Sequence, residues 1–251
     1  MASPNLPGPP HAPPPAPSKI KVKTTSPIVP PNADRAPIRT ERLLIRPFDA
    51  SDAEAVYQFR KQPEVMVWTM LGVVDKDVNE SRAFVERFLP PKDLNTFNYV
   101  VEYLGDVSKS DDANGVVIGA AGCHKMDSIS GWPEVGYMFR KEYWGKGLAT
   151  EFLRAFTKAW WALPRREIEL EVDDASVEKL RRGKGEMNDG DVIRVPEALM
   201  AMIEASNGGS RKVLEKTGFK EYKSWTEPDS RAHYTNRQAT LVAFLLGAPD
   251  G

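Results

Sequence analysis

"EVGYMFRKEYWGKGLATEF", from Glu134 to Phe152, is the stretch from which the fold of this 251-residue chain can be read. Its first part alternates like a strand, its middle is a short basic loop with two glycines, and its end opens an amphipathic helix. The first N–H groups of a helix have no intrahelical partner and sit at the positive end of the dipole. Glycines beside them let an anionic group approach the main chain. Gly145, Lys146, Gly147, Leu148, Ala149 and Thr150 therefore read as a diphosphate cradle, with Lys146 adding a full positive charge.

Outward from that loop the chain alternates between strand and helix patterns. Upstream, "RLLIRPF" (Arg42 to Phe48) alternates as a strand, and "SDAE" (Ser51 to Glu54) has capping-box spacing before a helix through Phe59 and Gln62. A second helix begins near Asp77 and Glu80 and stops at Pro90 and Pro91. "FNYVVEYL" (Phe97 to Leu104) and "GVVIGAAGCHKM" (Gly115 to Met126) read as strands joined by the polar loop "GDVSKSDDAN". Downstream, the helix from Gly147 places Leu148, Phe152, Ala155, Phe156, Ala159 and Trp160 on one side. "ALMAMIEA" predicts a strand, and "GSRKVLEKTGF" a short helix ended by Gly218. Two strands close the pattern, around Tyr222 and from Gln238 to Leu246. This order predicts an α/β (α+β) layer on a partly antiparallel sheet.

Composition narrows the function classes. With 41% hydrophobic and 27% charged residues the chain can bury a real core, and a net charge of -1 argues against binding nucleic acid by bulk electrostatics. A lone cysteine, Cys123, excludes an internal disulfide and points to a reducing compartment, cytoplasmic or also nuclear. No apolar run is long enough to span a bilayer. His11, His124, His233 and Cys123 have no metal-ligand spacing, so no metal is expected. Residues 1–37 carry runs such as "PGPPHAPPPAP" and are expected to form a disordered, proline-rich tail.

Taken together, "TERLLIRPFDASDAE", "EVGYMFRKEYWGKGLATE", "NGGSRKVLEKTGF" and the two closing strands resemble the GNAT acetyltransferase family. Within it the chain looks like the Rim-type branch, which acetylates protein N-termini. The likeness spans roughly residues 38–247. It implies a mixed, mostly antiparallel central sheet split between its fourth and fifth strands and flanked by helices. It also implies acetyl-CoA as cosubstrate, with an amine acceptor such as a peptide N-terminus or a small molecule, and a monomer or homodimer.

By the same resemblance, Tyr137, Met138, Phe139 and Arg140 give main-chain contacts to the pantetheine arm, and Gly145 to Thr150 hold the diphosphate. Asn207 matches an asparagine that hydrogen-bonds that arm, and Ser210 a small residue near the leaving sulfur. Glu134 matches an acid beside the acetyl group and is the candidate general base, an exposed strand carboxylate being the alternative. Transfer would be by direct attack in a ternary complex, with no covalent enzyme intermediate. Two positions depart from the family pattern. Glu142 stands where Gln or Arg is usual, and Leu214 stands where a tyrosine acid is usual.

An insertion at about 163–196 separates the long helix from the strand before Asn207. "EIELEV" and "DVIRV" within it are expected to pair as a hairpin with a charged tip, although "EIELEV" could itself be the core strand. Met66, Trp68 and Met70 are candidates to line an acceptor pocket, and Arg211, Lys212 and Lys216 to attract a 3′-phosphate. Two other readings stand beside acetyl transfer. One is a non-catalytic acyl-CoA-binding scaffold, left open by Leu214. The other is a dinucleotide oxidoreductase, since "GKGLAT" approaches a G-x-G-x-x-G/A pattern.

Overall fold

A computed structural model of the chain describes residues 18–105, 115–181, 188–189, 192–231 and 237–249. Twelve strands and six α-helices are formed among them: β1 (Lys19–Pro27), β2 (Ile38–Arg39), β3 (Leu43–Arg46), α1 (Ala53–Arg60), α2 (Pro63–Met66), α3 (Val78–Val85), β4 (Phe97–Tyr103), β5 (Val116–Lys125), β6 (Glu134–Phe139), α4 (Leu148–Ala162), β7 (Arg165–Asp173), α5 (Asp174–Arg181), β8 (Asn188–Asp189), β9 (Val192–Arg194), β10 (Ala198–Glu204), α6 (Gly208–Lys216), β11 (Lys220–Pro228) and β12 (Gln238–Gly247). The main sheet has the order β11-β12-β10-β6-β5-β4-β3-β2. Its neighbours are antiparallel except β6 and β10, which run parallel and share one register pair, Glu134 with Met200. The Met200 N–H reaches the Pro133 carbonyl at 2.8 Å, and beyond that point the two strands separate. The expected split therefore falls between β6 and β10.

Alternation along the strands sorts the core onto two faces. Leu199, Ala201, Val242, Phe244, Val135 and Phe139 pack with Leu148, Phe152, Phe156 and Trp160 of α4. On the opposite face, Val100 and Ala120 meet Val56 and Phe59 of α1 and Phe84 and Val85 of α3. Farther across that face, Ala198, Met200 and Leu245 meet Val22 of β1 and Val172 of β7. Glu134 and Gly136 belong to this second face by their parity with Met138, at the seam between its two covers.

The cover on the far side is a second sheet, β7-β1-β9-β8, and it corrects two expectations. Residues 18–37 are not an extended tail; residues 1–17 lie outside the described residues. β1 pairs with β7 along all of Lys19–Pro27, placing Lys19, Lys21 and Lys23 opposite Asp173, Glu171 and Glu169. Its other parity inserts Val22, fully buried, into the core beneath. Averaging composition over the proline runs hid this alternating stretch. Past β1, Arg35 is buried and donates to the carbonyls of Pro30, Asp93 and Thr96, which staples the segment to the domain.

The expected hairpin is also different. "EIELEV" and "DVIRV" do not pair with each other, because β1 lies between them, antiparallel to β7 and parallel to β9. The insertion also contains a helix, α5. The Asp173 and Asp174 carboxylates accept from the Ala175 N–H at its start, and Trp132 is locked against it by a 2.8 Å bond to Ser176 Oγ. At α1 the capping box belongs to Asp49 and Asp52 rather than to Ser51 and Glu54, through a 3-10 helical turn over Ala50–Asp52.

Candidate active site

Between β6 and the glycine loop runs a 3-10 helical turn, Lys141–Tyr143. Gly145 and Gly147 follow at φ 73° and 78°, in the left-handed region that L side chains rarely enter. A Cβ on Gly145 would meet nothing within 4 Å, and one on Gly147 only Arg42 Nη2 at 3.7 Å. The space above both glycines is therefore open, as a bulky anion requires. The first intrahelical bond of α4 is made by the Glu151 N–H to the Gly147 carbonyl at 3.0 Å. The N–H groups of Leu148, Ala149 and Thr150 precede it and face outward from the helix start.

What fixes this loop was not read from the sequence. Arg42, just before β3, donates from Nη1 to the Lys146 carbonyl at 3.0 Å and from Nε to Glu151 Oε2 at 2.8 Å. Its own N–H and the Thr40 hydroxyl hold Glu151 Oε1. Glu151 sits in the first turn of α4, where its charge would oppose a bound anion. Arg42 offsets that charge while pinning the loop. The "TER" triplet, Thr40 to Arg42, held this signal. Lys146 is exposed, with its ammonium 5.1 Å from the Tyr143 ring centre. Glu142 is exposed and held by the Gln62 amide at 3.0 and 3.1 Å, so its charge is engaged at the α1–α2 junction.

The edge of β6 that faces the split is open. The Arg140 N–H bonds to the Ile118 carbonyl of β5 at 2.7 Å, so by antiparallel alternation Met138 and Gly136 also point their main-chain groups to β5. Tyr137 and Phe139 then point theirs into the split. The Trp144 indole already occupies the Phe139 carbonyl at 2.7 Å. Left for a ligand strand are the Tyr137 N–H and carbonyl and the Phe139 N–H. Met138 and Arg140 thus do not offer main-chain groups on this edge, which narrows the expected set of four to two.

Across the split, α6 begins at Asn207, whose Oδ1 accepts the Ser210 N–H at 3.0 Å. This cap occupies the amide oxygen and leaves its NH2 as the group available to a ligand. The Tyr137 hydroxyl reaches over to the Ser210 carbonyl at 3.3 Å, and burial pushes its pKa up to about 12. Tyr137 and Ser210 are therefore brought together, whereas Leu214 is fully buried in the core. Arg211 is held by Glu221 at 2.7 Å and lies over the Phe244 ring, so its charge is already engaged.

Glu134 stands at the seam with 8% exposure, and burial raises its pKa, with Lys125 acting in the opposite direction. His124 Nε2 lies 3.7 Å from Glu134 Oε1. The imidazole fills the space over Gly136, where a Cβ would come within 3.1 Å of its Cε1 and Nδ1. Burial lowers the His124 pKa to about 4, so it is neutral near pH 7. Cys123 points the other way into the core, and burial raises its pKa.

On the acceptor side, Met66 is fully buried and is a core residue, not a pocket wall. Trp68 and Met70 are exposed at 41% and 69%. The loop that bears them is clamped by Arg231, which donates to the Val67 carbonyl at 2.6 Å and packs against Gly72. The same guanidinium holds Glu204 and Asp229. His11 and His233 lie outside the described residues. Among the described residues there is no group of three or more His, Cys, Asp or Glu side chains that could hold a metal ion, and no helix is long and apolar enough to cross a membrane.

A mixed sheet parted at one parallel pair, with a positive-φ glycine loop opening a helix beside the gap, defines a recognisable class. The chain belongs to the acetyltransferase (GNAT) domain family, whose model matches residues 42–220. It is 30% identical over 112 residues to the uncharacterized N-acetyltransferase p20 of Bacillus licheniformis, a match covering 45% of this chain and 58% of that protein. The chain thus spans little more than half the length of this curated relative. Among solved structures it resembles a GNAT-family acetyltransferase from Bacillus anthracis, with TM-score 0.56 and 21% identity over 85% of this chain and 99% of the other. It also resembles RimL, a ribosomal alpha-N-protein acetyltransferase in complex with coenzyme A, with TM-score 0.57 and 14% identity over 84% and 98%. A dinucleotide-type fold is excluded, because the sheet is mostly antiparallel and a helical turn separates strand from glycine loop.

Proposed function

We propose that this protein is an acetyl-CoA-dependent N-acetyltransferase acting on a primary amine, with a peptide N-terminus as the favoured acceptor. The observation that carries this is the open β6 edge running directly into the Gly145–Thr150 loop. Acetyl-CoA supplies a thioester whose carbonyl carbon is open to attack by an amine. The main-chain N–H groups of Gly145 to Thr150 and the Lys146 charge suit its diphosphate. Tyr137 and Phe139 present the main-chain groups that a pantetheine arm pairs with, and the Asn207 NH2 suits one of its amide carbonyls.

The acceptor amine is protonated near neutral pH and must lose a proton before it can attack. Glu134 is the group that takes it. Its buried setting raises its proton affinity toward that task. The Tyr137 N–H, rigid in the strand and the nearer of the two open N–H groups to Glu134, stabilises negative charge developing on the attacked carbonyl oxygen. The leaving sulfur lies on the α6 side, toward Ser210 and the Tyr137 hydroxyl. The coupling of those two groups at 3.3 Å supports Tyr137 as the proton donor that Leu214 cannot be. A peptide acceptor is favoured by the fold shared with RimL and by the exposed apolar Trp68 and Met70 on the loop that Arg231 clamps.

Two measurements test this reading. Acetyl-CoA should raise the melting temperature where NAD(P) does not. Thiol release with peptides bearing free N-termini should fall by about 10²-fold or more in Glu134→Gln, with the stabilisation by acetyl-CoA retained. Acetyl-CoA stabilisation with no thiol release from any peptide or amine would instead favour the scaffold reading.

A further inference from the structure

We infer that His124 and Glu134 form a two-member proton relay, in which Glu134 collects the acceptor's proton and His124 carries it to solvent. The inference rests on the proposed amine acetylation and adds the exit path that reaction requires. Acetylating a protonated amine releases one net proton per turnover, and a buried carboxylate that has taken it must be emptied before the next cycle. The neighbouring imidazole supplies the route. Nε2 of His124 lies 3.7 Å from Glu134 Oε1, within reach of one short shift or one water. The Glu134 side chain is 11% exposed and that of His124 28%, so the imidazole is the wetter of the two.

The geometry is built for this placement. His124 and Glu134 come from adjacent strands, β5 and β6, and share the face that looks into the seam. Gly136, with no side chain, is the position over which the imidazole lies; alanine there would put its Cβ 3.1 Å from the ring. Burial acts on the two groups in opposite senses. It raises the carboxyl and lowers the imidazole to about 4, which reverses the usual order of their proton affinities, so that Glu134 holds the proton at rest and His124 carries it only in passing. A protonated His124 in that setting releases its proton readily to water. The charges facing the pair are Lys125 beside it on β5 and Arg87 after α3, which both oppose a cationic imidazole. Tyr222 of β11 stands near Glu134 and is neutral, with its pKa raised by burial, by Asp173 and by Glu134 itself.

The step balances without any further reagent. The ammonium gives one proton to the Glu134 carboxylate, and the freed amine forms the N–C bond as the C–S bond breaks. The nitrogen's second proton ends on the departing sulfur. Glu134 then passes its proton to His124, and His124 to water, which restores both groups. His124 touches neither substrate in this scheme and acts through Glu134, so it is a positioning and relay residue.

The test is the pH and buffer dependence of thiol release by the full chain carrying His124→Gln. The kcat should fall roughly ten-fold, with KM for acetyl-CoA little changed, and should rise again with added imidazole as an external proton carrier. Glu134→Gln should lose more and show no such rescue. Unchanged kcat in His124→Gln, or a loss that imidazole leaves untouched, overturns the relay while leaving amine acetylation intact. A readout without turnover guards against a misfolded variant. At alkaline pH, with the imidazole neutral and the carboxylate ionised, Glu134→Gln should shift the His124 ring-nitrogen resonances by NMR, because an amide replaces the charge that faces Nε2. Identical ring-nitrogen resonances in the two proteins would show that the groups do not interact and would end the proposal. Absence of thiol release from the wild type with every amine would count against the acetylation reading itself, separately from the NMR comparison.

Discussion

At the β6–β10 junction one register pair joins two strands, whereas β1 is paired with β7 along its whole length and with β9 on its other edge. The two sheets therefore treat backbone hydrogen bonding in opposite ways. In the main sheet, polar main-chain groups are left unpaired at the split, a cost that a ligand strand would offset. In the second sheet the central strand is saturated and its side chains alternate between a charged row and a buried row. Openness sits where chemistry is proposed, and closure sits in the cover over Ala198, Met200 and Leu245. That cover is contributed by a strand that precedes the family-matched residues and by an insertion within them.

The comparison breaks first at Val22. Replacing it with Asp puts an unpaired charge at a fully buried position of the second core, at a cost of several kcal/mol. The melting temperature should fall by about 10 °C, since a chain of this size loses roughly 2–4 °C per kcal/mol. A melt that matches the wild type would mean that the second sheet is not part of the cooperative unit.

The open side is probed by Gly147→Val. A β-branched residue at φ 78° is strained by about 1–2 kcal/mol, and its side chain enters the space above the loop. The apo protein should melt a few degrees lower, while stabilisation by acetyl-CoA should vanish. Retention of that stabilisation would move the diphosphate away from this loop.

Acid titration sharpens the comparison at the seam between the helical cover and the second sheet. His124, with its pKa lowered, contributes stability that is full above its ordinary value near 6.5 and is lost as pH falls toward about 4. Glu134, with its pKa raised, has the opposite sign: the folded state gains stability as pH falls through that raised value toward the ordinary carboxylate range. Between pH 6.5 and 4 the two oppose each other. Melting temperature should therefore decline less in His124→Gln than in the wild type, and more in Glu134→Gln. Parallel curves for all three proteins would show that neither group is linked to folding.

The smallest expected effect is on the charged row. Lys21 is exposed and contacts Glu169 at 2.5 Å, so Lys21→Glu should lower the melting temperature slightly at low salt and hardly at all at high salt. Adding Glu169→Lys should restore it. A large, salt-independent loss would mean that Lys21 acts through packing rather than charge.

Most of the main sheet was legible in the sequence because its signals are local. Gly147 as the entry to α4, Asp77 as the cap of α3 and Gly218 at φ 90° after α6 each declare themselves within a few residues. The second sheet was not legible in that way. Its evidence is a lysine alternation at one place and a glutamate alternation far along the chain, and each looks like a solvated surface until the two are laid antiparallel. The site divides similarly. The glycines and Asn207 are motif positions, while Arg42 on Glu151 and Arg231 on Val67 are contacts between distant segments whose residue types are common everywhere. Assigning main-chain roles to four successive residues of β6 overlooked that a strand alternates its hydrogen-bonding edge. Only Tyr137 and Phe139 turn their main-chain groups to the open edge of β6.

The placement of β1 also sets an order of events during synthesis. Lys19 to Pro27 leave the ribosome well before their partner strand, Arg165 to Asp173, which is made only after the long helix that precedes it. For that interval the nascent segment is an unsatisfied β-former, the kind of element that mispairs with other chains. A lysine at every second position repels copies of itself and tolerates water. The same residues that later face the glutamates thus act as gatekeepers while the strand waits for them.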